Sequence, residues 1–470
     1  MKFTSDVVIG LEIHVELDTK TKLFCGCPTK GSIEPNSRTC EVCLGMPGSK
    51  PVLNKTALDY GLKIALALNC NIAPELVFSR KSYFYPDLAK NYQISQYELP
   101  LGEKGTIELP DGKKIRITRV HLEEDPASLV HPGSMTTSKH VLVDYNRSGN
   151  PLCEIVTEPD IESPEQAREF MRRLLTILNY LEIYDITTGI LKADCNISIK
   201  GSGYVRSEIK NVTGFKDIER ALVSELERQQ QAMSDGEKLI QDTRGWNPEN
   251  GATFRTRTKE TEDDYGYILD PDLVATELTP KHIKKIKDGL PELPVEKAKK
   301  FIKRYKIKHD DAHIIAAERS LAELFEKVAE KIDPLLAVRW LRHELNKFLN
   351  LQNKTFKEIE ADESHILELL DLISNKKITD NNAREILEKL IEKPFSPSEY
   401  MKEHNLEVVS DVTELKSFCK QVISENPSAV EDFKTGTGKA LNFLMGKVMQ
   451  LTKGKASPDE VVKLLKEIIK

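Results

Sequence analysis

Polarity alternates with period two through residues 11–17, where Leu11, Ile13, Val15 and Leu17 share one parity and Glu12, His14 and Glu16 the other. That pattern predicts a strand with one buried and one polar face. An Asp111-Gly112 pair predicts a type I′ hairpin turn leading into a strand over 115–123. Further strands are expected at 141–145, 152–156, 190–200 and 204–210. Helical spacing marks residues 56–68, and Ser163-Pro164-Glu165-Gln166 opens another helix with a capping residue and proline at its first position. Strands and helices do not alternate as regular βαβ units, so the expected class is α+β with an antiparallel sheet.

The pattern changes near Pro291-Glu292-Leu293-Pro294, after which Lys, Glu, Leu and Ile recur at helical spacing with almost no strand signal. Ser396-Pro397-Ser398-Glu399 and Ser457-Pro458-Asp459-Glu460 start further helices. Three domains are expected: 1–292, mixed α and β; 293–395, helical; and 396–470, a small helical tail.

A length of 470 residues carries the same prior of about three domains. With 39% hydrophobic and 30% charged residues the chain has an ordinary globular composition. No run approaches the about 18 apolar residues of a membrane span, and Asp6 precedes any apolar stretch, so a cytoplasmic protein without a secretory signal is expected. The 68 basic and 74 acidic side chains leave a net charge of −6, which excludes a nucleic-acid binder that is basic throughout. A local patch is compatible with that balance. Between Phe433 and Pro458 stand Lys434, Lys439, Lys447, Lys453 and Lys455 with no acid among them. They read either as lysines solvating a tail or as a surface for RNA phosphates.

Four of the eight cysteines, Cys70, Cys153, Cys195 and Cys419, are scattered singly and read as small buried hydrophobes. The others form Cys25-Gly26-Cys27 and Cys40-Glu41-Val42-Cys43, two pairs that can close a tetrahedral zinc site. A disulfide pair, disfavoured in a reducing compartment, and four idle thiols are the competing readings. Four sulfurs leave no open position, so zinc here would be structural.

The acids are the second chemical feature. Glu12, His14 and Glu16 on one strand face, two carboxylates flanking an imidazole, suit a half-wet surface, or a divalent cation with nucleotide phosphates in its shell. His121-Leu122-Glu123-Glu124-Asp125 ends a strand, and Glu154 and Asp194 each sit inside apolar strands, where an unpaired charge is costly. Glu208-Ile209-Lys210 adds a carboxylate and an amine on one face. With Arg147, Arg206 or Lys210 to hold phosphates, these acids sketch a metal–nucleotide site. The common nucleotide signatures are missing: Gly436-Thr437-Gly438-Lys439-Ala440 lacks the P-loop's spacing and its Ser or Thr, and reads as a flexible basic turn.

Several longer segments carry a resemblance. Ile9-Gly10-Leu11-Glu12-Ile13-His14-Val15-Glu16-Leu17, Tyr83-Phe84-Tyr85-Pro86-Asp87, Tyr92-Gln93-Ile94-Ser95-Gln96 and His121-Leu122-Glu123-Glu124-Asp125 are four of them. Asp144-Tyr145-Asn146-Arg147, Glu154-Ile155-Val156-Thr157-Glu158-Pro159-Asp160, Asp270-Pro271-Asp272-Leu273 and Leu290-Pro291-Glu292-Leu293-Pro294 continue the series, which extends into residues 434–447. Together they resemble the GatB family of aspartyl/glutamyl-tRNA(Asn/Gln) amidotransferases, over essentially the whole chain. The resemblance implies a cradle-like α+β catalytic domain of glutamine synthetase type with a zinc-binding loop at 25–43, then a helical domain and a tRNA-binding tail.

It also implies a carbon–nitrogen ligase. ATP would phosphorylate the side-chain carboxylate of Glu-tRNA(Gln) or Asp-tRNA(Asn), and ammonia from a partner amidase (glutaminase) would displace the phosphate, with a small third protein completing a heterotrimer. Glu12, His14, Glu123 and Glu154 would hold catalytic Mg2+, with Glu124 the alternate to Glu123. Asp194, Glu208 and Lys210 would be further members of the catalytic site, Arg147 and Lys210 phosphate contacts, and Cys25, Cys27, Cys40 and Cys43 the structural Zn2+ ligands. A zinc-stabilised tRNA-binding scaffold without chemistry is the alternative, and it has no need of the acids.

Overall fold

A computed structural model of the chain describes residues 3–133, 138–185, 191–258, 266–352, 354–408, 412–435, 438–452 and 455–469. The alternating segment near its start becomes β1 (Val7–Glu16), the middle strand of a nine-stranded sheet. The other strands are β2 (Asn71–Ile72), β3 (Gly102–Glu108), β4 (Lys114–Glu124), β5 (Pro151–Thr157), β6 (Leu191–Ile199), β7 (Ser207–Thr213), β8 (Asp242–Asn247) and β9 (Ala252–Thr258). Their spatial order is β9-β8-β7-β6-β1-β5-β4-β3-β2. All pairings in it are antiparallel except β7 with β8.

The sheet has one apolar face. Ile9, Leu11, Ile13 and Val15 are buried there with Ile117, Val120, Leu122, Cys153, Ile155, Ala193, Cys195 and Ile197. Helices Lys55–Ala67, Pro164–Leu181 and Phe215–Ser234 cover it with Leu62, Ile64, Phe170, Leu174, Ile218 and Leu222. Burying stripes of this kind, at about 25 cal/mol per Å² of apolar surface, is what holds the layers together. The opposite face is left to the polar parity of each strand.

Helix starts follow their capping residues. Asn54 accepts from the amides of Thr56 and Ala57, and Ser163 from that of Gln166. The expected type I′ turn is not formed. Leu109 and Lys113 pair around three residues, with the Leu109 N–H donating to the Lys113 carbonyl and only Gly112 (φ +84°) left-handed. Pro110 explains this, because its locked negative φ favours a three-residue loop closed by a left-handed glycine. The strand expected at 204–210 begins at Ser207, after left-handed Gly203 and Tyr204, and runs on to Thr213. Strand β8, the edge strand β9 beside it and the helix Phe215–Ser234 add to the elements that the polarity pattern predicts.

The chain divides into two compact units, Met1–Leu293 and Pro294–Lys470. The second is helical and holds two apolar cores. One is built on Phe301, Phe325, Trp340 and Leu341 and reaches Met401 on the helix Pro397–Glu403; the other joins Leu415, Cys419, Leu444 and Leu465. Ser396 caps that helix by accepting from the Glu399 amide. The class is therefore α+β followed by all-α. Among the described residues no helix is long and apolar enough to cross a membrane.

Strand β3 lies close against the turn after helix Lys55–Ala67, where a Cβ on Gly105 would stand 2.6 Å from the Leu68 carbonyl oxygen. Gly105→Ala is expected to cost about 1–3 kcal/mol through overpacking against backbone. An unfolding midpoint in urea equal to wild type would contradict that close approach.

Candidate metal centres

Antiparallel register brings the polar parities of five strands together. His14 lies opposite Glu154 on one side and Lys192 on the other, Glu154 faces His121, and Glu12 faces Asp194. Two groups of ligand atoms result, each gathered within 4.8 Å: His14, Glu123 and Glu154, and separately Glu12, Asp194 and Glu208. The four residues expected to hold magnesium thus fall in two groups, with Glu12 turned to β6 and β7. A strand presents same-face neighbours about 7 Å apart, so Glu12 and His14 reach different clusters.

In the first group His14 Nε2 stands 3.5 Å from Glu123 Oε1 and 3.4 Å from Glu154 Oε2. His121 Nε2 is 3.4 Å from the same Glu154 oxygen, and Arg119 Nη2 lies 3.8 Å from Glu154 Oε1. Burial disfavours the His14 imidazolium, yet the hydrogen bond and charge of Glu154, with Glu123 and Asp194, raise its pKa to about 10. Burial likewise opposes ionisation of Glu154, but His121 and His14 hold its carboxyl well below the usual range. Burial, then Glu154, pushes the Glu123 carboxyl up. His121, which opens the His121–Asp125 motif, shares strand parity with Glu123, and Arg119, of the same parity, lies outside the motifs and is not singled out by them.

In the second group Lys210 Nζ lies 2.8 Å from Asp194 Oδ2 and 3.4 Å from Glu208 Oε1. A β-bulge between Ala193 and Cys195, with left-handed Asn211, lets the Asn211 amide also donate to Asp194 at 2.7 Å. Asn196 donates to Glu12 at 3.1 Å and Thr243 to Glu208 at 3.3 Å. Burial first, then Glu154, Asp194 and Glu208, raises the Glu12 carboxyl. Three carboxylates against one ammonium form a net negative pocket of oxygen donors, which fits magnesium.

Glu124 belongs elsewhere. It pairs with Lys90 and accepts from the Ile94 amide at 2.8 Å. Gln93 donates to the Glu124 carbonyl at 2.6 Å and Gln96 accepts from the Leu122 amide at 2.9 Å, which pins this end of β4. Arg147 donates to the carbonyls of Pro126 and Ala127 and lies 3.3 Å from Asp125, so its observed contacts tie down the chain that follows Glu123.

Cys25, Cys27, Cys40 and Cys43 bring their four sulfurs within 4.8 Å of one another, all as free thiols. Tetrahedral zinc with Zn–S bonds of about 2.3 Å needs sulfurs about 3.8 Å apart, and Cys40 and Cys43 stand at 3.9 Å. Hydrogen bonding with Cys25 and the Cys40 amide, and the charge of Lys22, hold the Cys43 thiol down to about 5 against burial. The donor set fits zinc, and the site is closed by four protein sulfurs.

In the tail, Lys434 ends the helix Pro427–Lys434, and Lys439 and Lys447 lie exposed on the helix Gly438–Leu451. The Lys447 ammonium sits 5.7 Å from the centroid of the half-exposed Phe443 ring. Lys455 is half-buried, and Lys453 lies outside the described residues. From Gly438 onward the segment expected as a basic turn is helix.

Burial pushes the Asp125 carboxyl up to about 7, with Arg147 opposing and Glu16 adding to the rise. A native pKa above the unfolded value of 3.8 contributes stability that is full below that value and lost as pH rises through about 7. In protein stripped of divalent cations, the urea midpoint of wild type relative to Asp125→Asn should therefore fall between pH 4 and 8 (roughly the window these two values bracket). A pH-independent difference would refute the assignment.

Family models match two stretches: the GatB/GatE catalytic domain over residues 7–284 and the GatB domain over 323–469. Curated relatives, each named as the B component of an aspartyl/glutamyl-tRNA(Asn/Gln) amidotransferase, match nearly throughout. One from Carboxydothermus hydrogenoformans is 42% identical over 98% of both chains, and one from Thermodesulfovibrio yellowstonii 43% over 99% of both. A third, from Saccharolobus solfataricus, is 43% identical over 98% of this chain and 99% of its own. Sheet, acids and cysteines thus come with full-length likeness, and the chain belongs to the GatB family of aspartyl/glutamyl-tRNA(Asn/Gln) amidotransferases.

Proposed function

We propose that this chain activates the side-chain carboxylate of Glu-tRNA(Gln) or Asp-tRNA(Asn) with ATP and then amidates it. The observation that carries the chemistry is the division of β1's polar face between two buried carboxylate clusters, through Glu12 and His14. The relatives are named for amidotransferases of tRNA(Asn/Gln), which supports the substrate class.

A substrate carboxylate and a triphosphate repel one another, and magnesium held in these clusters would neutralise that repulsion. Glu12, Asp194 and Glu208 would hold one ion and His14, Glu123 and Glu154 another. A carboxylate oxygen attacks the γ-phosphorus and the bond to ADP breaks. Ammonia from a partner amidase then attacks the acyl carbon, phosphate leaves with the electron pair, and one proton is released. Lys210 supplies the phosphate-facing cation, and Arg147 holds the loop after Glu123. His121 and Arg119 fix the ionised Glu154. A small third protein completes the complex, the four cysteines carry structural zinc, and the tail lysines contact tRNA phosphates.

Co-purified with the amidase and the small third protein, Glu12→Ala and Glu208→Gln are each expected to lower formation of the phosphorylated aminoacyl-tRNA by about 10²-fold or more, the scale of a lost electrostatic stabiliser, while tRNA affinity stays within about twofold. Activity at the wild-type rate in both would favour the scaffold reading. Lys439→Ala and Lys447→Ala should weaken tRNA binding and lower its salt slope by about one each, with turnover of saturated complex unchanged. An unaltered slope would remove these lysines from the RNA surface.

A further inference from the structure

Lys22 is wholly buried beneath the cysteine loop, and a buried ammonium is stable only when its charge is met. Its Nζ donates to the Arg38 carbonyl at 2.8 Å and the Tyr145 carbonyl at 3.2 Å, and to Cys43 Sγ at 3.7 Å. Among the described residues its partners are thus two carbonyls and a sulfur, with no carboxylate. Four thiolates around one Zn2+ sum to a formal charge of about −2. The tetrathiolate is therefore the counter-charge in direct contact with this lysine, since the Glu124 carboxylate, which also approaches Gly149, is paired with Lys90.

The same contact is woven into the segment that follows β4. The Gly149 backbone, left-handed at φ +85°, lies so close that a Cβ there would be 3.5 Å from Lys22 Cδ and 3.6 Å from Cys43 Cβ. Leu23 N–H donates to the Gly149 carbonyl at 2.8 Å. Arg38 N–H donates to Asn146 Oδ1 at 2.7 Å, and Asn146 Nδ2 to the Glu34 carbonyl at 2.7 Å. From that loop the Gly149 amide reaches the Asp125 carbonyl at 2.8 Å, two residues beyond Glu123. One ammonium thus touches both the sulfur cluster and the loop that backs the acidic face.

We propose that Lys22 is the buried counter-cation of the zinc–tetrathiolate centre and that, through the Tyr145 carbonyl, it couples metal occupancy to the seating of loop 145–150 against the catalytic sheet. Lys22 is a positioning residue, since it reaches the acids only through the loop. The inference rests on zinc at Cys25, Cys27, Cys40 and Cys43. Zinc thiolates are electron-rich acceptors whose metal affinity depends on outer contacts, which typically alter it about 10–100-fold when removed.

The test uses the full chain. Metal content of wild type, Lys22→Met and Lys22→Arg is measured after purification, and zinc release is followed with a chromophoric chelator. Amide exchange over residues 145–150 is compared before and after chelation. One zinc per wild-type chain is expected, with release at least about tenfold faster from Lys22→Met and nearer wild type from Lys22→Arg. Chelation of wild type should raise exchange in 145–150. A wild type without zinc overturns the zinc reading and with it this role. Stoichiometric zinc with equal release from Lys22→Met and wild type overturns the role of Lys22 alone. Should Lys22→Met fail to fold, the wild-type chelation arm decides, and unchanged exchange in the loop overturns the coupling.

Discussion

The antiparallel register of β1 is the constraint on which the rest of the first unit depends. Because side chains alternate strictly, the residues that bury Leu11, Ile13 and Val15 in the core also aim Glu12 and His14 at the opposite face. A slip of one residue would exchange the two sets, placing carboxylates in the core. The helices packed on the apolar face enforce the register, and the register places His14 between Glu154 and Lys192 and Glu12 beside Asp194.

That enforcement supports an arrangement which is electrostatically unfavourable by itself. Buried carboxylates that raise one another's pKa, as Glu12 and Glu123 show, cost free energy that only counter-cations or protons relieve. His14 stands between Glu123 and Glu154, whose charges raise its pKa, and Lys210 lies between Asp194 and Glu208. The imidazole and the ammonium thus each meet two carboxylates, and the packed sheet holds oxygen donors of net negative charge on its polar face. The four-cysteine loop and the chain around Arg147 brace the same face from the end of β4, through Gly149, Asp125 and the carbonyls of Pro126 and Ala127.

Much of the site is legible in the sequence because its signals are local. The parity of Glu12 and His14, the cysteine pairs and the helix caps at Ser163 and Ser396 each depend on neighbours a few residues away. The turn at Asp111-Gly112 departs from expectation for a local reason as well, since Pro110 changes which turn the same dipeptide closes. Strands β8 and β9 lack such signals: their pairing, including the parallel contact of β8 with β7, follows from a long helical crossover.

By itself the sequence determined the class of the fold, the polar face of the central strand, the zinc-fitting donor set and the family. Each is carried by residue order, through side-chain period or motif. Only the tertiary structure decided how the acids are shared. Glu12 joins Asp194 and Glu208 because β6 and β7 lie on that side of β1, and a bulge at Asn211 turns Lys210 and a backbone amide toward Asp194. Glu124 leaves the cluster for Lys90, and Lys22 comes to lie under Cys43. Those outcomes depend on which strands and loops meet, across separations from 16 residues for Lys210 with Asp194 to 184 for Asn196 with Glu12, and strand order and register, unlike period, are settled only when the core has packed.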